Sequence, residues 1–150
     1  MSIGHYETLF ANAAAAGVHH LPHGPLDKLL AGAKAAGCLV LHVDLAAARN
    51  KEEMLGAVAK GLRFPQWFGH NWDALGDSLL DMGWLPATGY VVILEHCDGI
   101  HGRAEGDFVA LMQVFQEAAE TWREDGVPFW CLVDMQADGI AWLPTVAQPD

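Results

Sequence analysis

Apolar residues along the chain alternate between strand-like and helix-like patterns. Three short runs, rich in β-branched and aromatic residues, predict strands at residues 39–45, 90–94 and 129–133. Helical patterns at residues 51–62 and 71–82 separate the first two strands. A longer helix precedes the last strand, and its apolar face is formed by Phe108, Leu111, Met112, Phe115, Ala119 and Trp122. Strands separated by helices pair in parallel through right-handed crossovers, so the pattern predicts an α/β fold with a three-stranded parallel sheet.

The residues before the first predicted strand have a helical character of their own. Residues 6–17 contain a helix-prone run of alanines, and a second helical stripe is formed by Leu26, Leu29, Leu30 and Ala33. Residues 18–21, between the two, have the composition of a short edge strand. The predicted strands are nearly continuous in apolar residues, which is typical of a sheet that is covered on both faces. We therefore expect this extension to cover the second face.

These patterns divide the chain into three segments. We predict a mainly helical extension at residues 1–38 that packs on the core, a compact domain at residues 39–134, and a tail at residues 135–150. The end of the tail, residues 144–150, is expected to fray. A length of 150 residues and a hydrophobic content of 52% suit one packed domain.

The helix predicted at residues 71–82 combines an apolar stripe with a row of acids. Asn71 is a good N-cap, and the stripe is formed by Trp72, Leu75, Leu79 and Met82. Asp73, Asp77 and Asp81 are spaced four residues apart and line another face, where neighbouring like charges repel. No lysine or arginine occurs within residues 69–90 to offset them. This face is a candidate docking surface for a cationic partner.

The charge of the whole chain points in the same direction. The sequence has 19 acidic and 8 basic residues, for a net charge of −11. Such a protein repels polyanions and attracts basic proteins, so direct nucleic-acid binding is not expected. An acidic composition also serves solubility alone, and this alternative stays open at the level of composition.

Cysteine usage and the absence of a leader pattern bear on the compartment. Cys38, Cys97 and Cys131 are odd in number and match no zinc spacing, so we interpret them as buried free thiols. The N-terminal residues lack a basic segment followed by an apolar one, and no apolar run approaches the roughly 18 residues that span a bilayer. We expect a cytoplasmic protein with no membrane association.

Two histidine clusters keep a metal-dependent enzyme open as an alternative. One contains His19, His20 and His23, and the other is formed by His96, Cys97 and His101. Their spacing is poor for a metal site, because adjacent histidines in a strand face opposite ways and the second cluster lacks a fourth ligand. No motif for a nucleophilic elbow, a phosphate loop or a dinucleotide occurs, so no cofactor is predicted. Asp73 and Asp77 lack the unequal environments that a catalytic carboxylate pair needs.

The order of several segments resembles a known family. The run FPQWFGHNWDALGDSLLD at residues 64–81 is followed by GYVVILE at 89–95, VFQEA at 114–118 and FWCLV at 129–133. Over roughly residues 39–134 this resembles the barstar family, small bacterial proteins that inhibit ribonucleases. The resemblance implies a barstar-like α/β fold and a non-enzymatic protein whose partner is a basic ribonuclease. An immunity protein against another nuclease toxin, acting on DNA or tRNA, is the alternative that it leaves open.

The resemblance also implies a partner-binding site. Asp77 matches the carboxylate that family inhibitors insert among the basic groups of the enzyme's active site, and Asp73 and Glu117 match further acidic contacts. The sequence departs from the family pattern at several positions: Trp67 replaces a tyrosine that packs on the enzyme, Gly76 a large aromatic, Met82 a tryptophan and His70 an acid. The implied site as a whole comprises Trp67, Gly69, Asn71, Trp72, Asp73, Gly76, Asp77 and Glu117.

Overall fold

The computed structural model of the chain describes residues 2–65, 71–136, 140 and 142–149. Helices and strands alternate along these residues, with a short 3₁₀ turn at Ala13–Ala15. In chain order they are α1 (Ser2–Phe10), β1 (Val18–His20), α2 (Asp27–Ala35), β2 (Leu39–Asp44), α3 (Lys51–Gly61), α4 (Trp72–Asp81), β3 (Tyr90–Glu95), α5 (Asp98–Arg103), α6 (Glu105–Glu124) and β4 (Phe129–Val133). The predicted α/β class is confirmed, whereas α5 was not predicted from the sequence.

The sheet has four parallel strands in the order β1, β4, β3, β2. The prediction of three strands is therefore wrong. The additional strand is β1, which pairs Val18 with Cys131 of β4 and lies where the sequence indicated an edge strand. Three residues are too few for an alternating pattern to identify, and the pairing that stabilises them is made with residues more than a hundred positions away.

Helices α3, α4, α5 and α6 supply the apolar residues that cover the first face of the sheet. The strands contribute residues such as Leu41, Val43, Val92 and Leu94 to this core. The helices contribute Met54, Leu55, Val58, Leu75, Leu79, Ile100, Phe108, Leu111, Met112, Phe115 and Ala119, all fully or almost fully buried. Because successive residues of a strand point to opposite faces, Val91 and Ile93 of β3 face the other way.

The N-terminal elements cover that second face. Tyr6 and Phe10 of α1, with Leu29 and Ala33 of α2, form one core with Val91, Ile93, Trp130 and Leu132 of the sheet. The ring centroids of Phe10 and Trp130 are 5.1 Å apart, and the Trp130 indole N–H donates to the Phe10 carbonyl at 3.2 Å. The two helices cross closely at Gly32, where a Cβ would collide with the Cβ of Tyr6. Burial on both faces accounts for the continuous apolar character of the central strands.

Polar contacts tie the extension to α6 as well. The Gln116 side-chain oxygen accepts from the Val18 backbone N–H at 2.9 Å. The Arg123 guanidinium donates to the carbonyls of Ala16 at 2.7 Å and Ala13 at 3.3 Å. The Arg123 contacts satisfy carbonyls of the 3₁₀ turn and the residue after it, and the Gln116 contact fixes the start of β1 against the long helix.

Residues near the C-terminus continue the sheet beyond β1. The His20 N–H donates to the Pro144 carbonyl at 2.7 Å, and the Val146 N–H donates to the His20 carbonyl at 3.0 Å. Leu143 and Val146 are buried. The prediction of a frayed end is wrong for residues 144–146, because these residues satisfy the outer backbone groups of an edge strand.

The other edge of the sheet lies against α3. Leu39 and Leu45, at the two ends of this strand segment, donate their N–H groups to the carbonyls of Gly89 and Glu95 at 2.8 and 2.9 Å. The backbone groups of alternate residues point to opposite sides of a strand, so the His42 carbonyl points away from β3. A Cβ at Gly61 would lie 2.5 Å from the His42 carbonyl oxygen. Glycine at this position lets the end of α3 approach the β2 backbone.

Two further observations concern the cysteines and the length of the helices. Cys38, Cys97 and Cys131 are free and buried, which confirms the interpretation as buried thiols. Burial raises the pKa of the Cys38 thiol to about 11, so it stays protonated at neutral pH. None of the helices in the described ranges is long and apolar enough to cross a membrane.

Candidate functional site

Helix α4 is held firmly at both ends and along one side. The Asn71 side chain accepts from the Ala74 N–H at 2.8 Å and caps the first turn, as predicted. Leu75 and Leu79 are fully buried, and Met82 ends the helix in a left-handed conformation with φ of 50°. The indole N–H of Trp122 in α6 donates to the Leu79 carbonyl at 2.8 Å. The remaining sides of α4 are therefore presented to solvent on a fixed scaffold.

The predicted row of carboxylates lies on the exposed side of α4. Asp73, Asp77 and Asp81 are all exposed. Asp81 has a local partner, because its carboxylate accepts from the Gly83 N–H at 3.1 Å. Neither Asp73 nor Asp77 forms a salt bridge with any residue that the structure describes. Each pair of like charges one turn apart costs about 0.2–0.5 kcal/mol, so the row is not explained by the stability of the helix.

An apolar column runs beside the acidic row, one residue earlier at each turn. It consists of Trp72, Gly76 and Leu80, spaced four residues apart. Trp72 is half-buried, and the Lys51 ammonium lies over its ring at 5.2 Å from the centroid. Leu80 has 44% of its surface exposed. The sequence analysis did not single out Leu80, although its place four residues after Gly76 and eight after Trp72 was a usable signal.

The structure brings together most of the site residues that the resemblance implied. Asn71, Trp72, Asp73, Gly76 and Asp77 share the first part of α4. Glu117 is exposed on α6, the helix that packs against α4. Trp67 and Gly69, which precede α4, lie outside the described residues, as does His70.

The histidine clusters make separate local contacts. His96 Nδ1 lies 2.9 Å from an Asp44 carboxylate oxygen, and this hydrogen bond raises the pKa of His96. A His20 ring nitrogen lies 3.1 Å from the Ile140 N–H, and His101 lies 3.5 Å from Glu105. Within the described ranges, no three His, Cys, Asp or Glu side chains form a group that could hold a metal ion.

Two other chemically capable side chains are inaccessible. Ser78, the hydroxyl nearest to the acidic row in sequence, is fully buried. Cys97 is buried, its thiol donates to the Leu94 carbonyl at 3.2 Å, and burial raises its pKa, so the thiolate nucleophile is disfavoured. The accessible chemistry of this region is thus carboxylate and apolar surface on one rigid helix.

A comparison with protein families shows which family the chain belongs to. The model of the family described as Barstar (barnase inhibitor) matches residues 38–134, well over half of the chain. The chain belongs to the barstar family. The match includes β2, β3, β4 and helices α3 to α6, so the resemblance inferred from the sequence is confirmed. A comparison with curated proteins found no match.

The family match ends where the N-terminal elements begin. Helix α1, strand β1 and helix α2 all precede residue 38. The barstar-family portion therefore contains the first-face helices and three strands, including the whole of α4. The second-face cover and the fourth strand lie outside it.

Proposed function

We propose that this barstar-family protein inhibits a basic ribonuclease by inserting the α4 carboxylates into the enzyme's cationic active site. The observation that carries this proposal is the exposed pair Asp73 and Asp77, for which the described structure offers no salt-bridge partner. Asp73 lies in the first turn, where the helix dipole favours an acid. Asp77 lies in mid-helix and has no such reason to be there.

Carboxylates are suited to replace a phosphate in such a site. Each accepts bidentate hydrogen bonds from arginine and carries its charge on paired oxygens, as the scissile phosphate does. Asp77 is the leading group in this proposal, with Asp73 beside it and Glu117 at the rim. Asn71 and Trp72 provide contact area at the start of α4. Trp67 and Gly69, which precede them in the sequence, belong to the same proposed site. The enzyme is blocked without any covalent step, so no cofactor is needed.

The net charge of −11 supports fast association with such an enzyme. Opposite fields accelerate encounter, and the effect weakens as salt screens it over a Debye length of about 10 Å at 0.1 M. We propose that the protein acts in the cytoplasm, where it neutralises a nuclease toxin of its own cell. A nuclease that cleaves DNA or tRNA is the second candidate, because its phosphate-binding groups are cationic too.

Inhibition assays with isosteric variants test the proposal. The purified protein is titrated against barnase and a panel of small basic ribonucleases and deoxyribonucleases, together with any nuclease that it captures from its native cell. We expect stoichiometric inhibition of at least one nuclease and its loss in Asp77→Asn. Asp27→Asn, which removes an exposed acid from α2 on the other face of the sheet, is the matched control and should inhibit normally. A protein that inhibits no nuclease in this set, or an Asp77→Asn variant as potent as Asp27→Asn, would contradict the proposal.

A further inference from the structure

Glycine at position 76 is not explained by packing against the residues that the structure describes. At Gly32 and Gly61 a Cβ would collide with a neighbouring element, so those glycines allow close approach. At Gly76 no atom of the described residues lies within 4 Å of the position that a Cβ would occupy. Glycine in a helix interior is less favourable than alanine, so the residue lowers helix stability without a packing benefit from the part of the chain that the structure describes.

The surroundings of Gly76 form a notch with apolar ends. Trp72 lies one turn before it and Leu80 one turn after it, on the same side of α4. Eight residues of helix extend over about 12 Å, so the missing side chain leaves room for one large side chain between them. Leu80 is 44% exposed, and in the described ranges the other large apolar side chain with such exposure is Trp142, far along the chain.

Charge complementarity indicates which partner fills the notch. The exposed acids Asp73 and Asp77 lie along one side of Gly76 on the same helix, so a partner side chain that enters the notch should lie beside cationic groups of the partner. An apolar centre with a charged rim is the arrangement that concentrates binding energy in protein interfaces. We propose that Gly76 and Leu80 receive a bulky apolar side chain that the nuclease presents next to its basic active-site residues, and that this contact selects among basic nucleases.

This inference rests on the proposed function and adds a determinant of specificity to it. The carboxylates recognise charge that many nucleases share, whereas the notch recognises shape. Leu80 has no polar group, so the free energy of its contact with the partner comes from the removal of apolar surface from water and changes little with salt concentration. The acidic row and the notch should therefore affect binding in separable ways.

A glycine pair provides the most discriminating test. Gly56 in α3 is also a mid-helix glycine, and a Cβ there would have no described atom within 4 Å, but its neighbours one turn away are the charged residues Glu52 and Lys60. Both Gly76→Ala and Gly56→Ala should raise Tm by about 3 °C. Against the nuclease that the wild type inhibits most strongly, Gly76→Ala should raise Kd about tenfold or more, and Gly56→Ala should leave Kd unchanged.

Substitutions of Leu80 separate shape from charge. Leu80→Asn should raise Kd about tenfold with an unchanged salt dependence of the association rate, and Leu80→Met, which stays apolar, should raise Kd much less than Leu80→Asn. Trp142→Asn, which removes an exposed large apolar side chain outside the notch, should bind normally. If Gly76→Ala and Leu80→Asn both bind with the wild-type Kd while Asp77→Asn no longer inhibits, the notch proposal is wrong and the inhibitor proposal stands. If Asp77→Asn has no effect either, the inhibitor proposal fails, and the notch with it.

Discussion

The helical layers on the two faces of the sheet differ in how well packing explains their residues. On the second face, Tyr6, Phe10, Leu29 and Ala33 of α1 and α2 are buried against the sheet. On the first face, α4 buries one stripe in the same way but also displays carboxylates without salt-bridge partners in the described structure, beside an exposed Leu80. The second layer is thus explained by stability, whereas the recognition role proposed for α4 accounts for the residues on its outer side. Changes to the two layers should therefore have separable effects.

Removal of the second layer should have the largest effect. Deletion of residues 1–37 exposes Val91, Ile93, Trp130 and Leu132, each worth about 1.5–3 kcal/mol when buried. We expect the free energy of unfolding to fall by several kcal/mol and the truncated protein to aggregate, as thermal melts and light scattering would report. Any folded fraction should still inhibit the nuclease, because α4 is intact. An unchanged Tm without aggregation would mean that the second layer does not stabilise the fold.

Removal of single acids from α4 should affect affinity and leave stability nearly intact. Truncation of one member of a desolvated charge pair costs about 2–5 kcal/mol or more, whereas a rim charge mostly alters the association rate. We therefore expect the Kd of Asp77→Ala to be roughly a hundredfold or more higher than the Kd of Asp81→Ala, where each factor of ten corresponds to about 1.4 kcal/mol. Dissociation constants of both variants, with Tm as the folding control, test this. Equal losses would indicate a diffuse attraction rather than an inserted carboxylate.

Arg123 links α6 to the N-terminal extension. Its removal should have a smaller effect, which falls on stability and not on affinity. Arg123→Ala removes the two hydrogen bonds to the carbonyls of Ala13 and Ala16. Hydrogen bonds from charged groups are worth about 1.5–3 kcal/mol, and partial exposure reduces this, so we expect a loss of about 1–2 kcal/mol in the free energy of unfolding. Urea denaturation measures this loss. Inhibition should be unchanged, and a large loss of inhibition would show that the two layers are coupled through α6.

The smallest expected effect is a pH dependence within the second layer. The His19 ring lies 5.0 Å from that of Trp130, and burial lowers the pKa of His19 below its usual value near 6.5. The unfolded chain then binds a proton more readily than the folded one, so stability is fully present above pH of about 6.5 and is lost as the pH falls through the lower folded pKa. We expect wild type to lose more stability than His19→Gln between pH 7 and 5. The pKa of His96 is raised and acts in the opposite direction, but it is common to both proteins.

Much of the first layer could be predicted from local sequence patterns. The Asn71 cap, the buried Leu75 and Leu79 and the exposed acids follow from helical spacing alone. Strand β1 and the pairing of residues 144–146 could not be established this way, because both depend on contacts with distant residues. Helix α5 was not predicted, because its six residues are too few to show a helical period. One of them is His101, which the sequence offered as a candidate metal ligand.

The glycine at the end of α3 has a consequence for the free edge of the sheet. An edge strand presents unpaired N–H and C=O groups, which can pair with strands of other molecules. Because position 61 lacks a Cβ, α3 lies against the outward-facing backbone of β2 at the His42 carbonyl and limits access to that edge. One additional methyl group would push the helix away from the strand. The absence of a side chain at Gly61 thus helps to protect this edge from pairing with other chains.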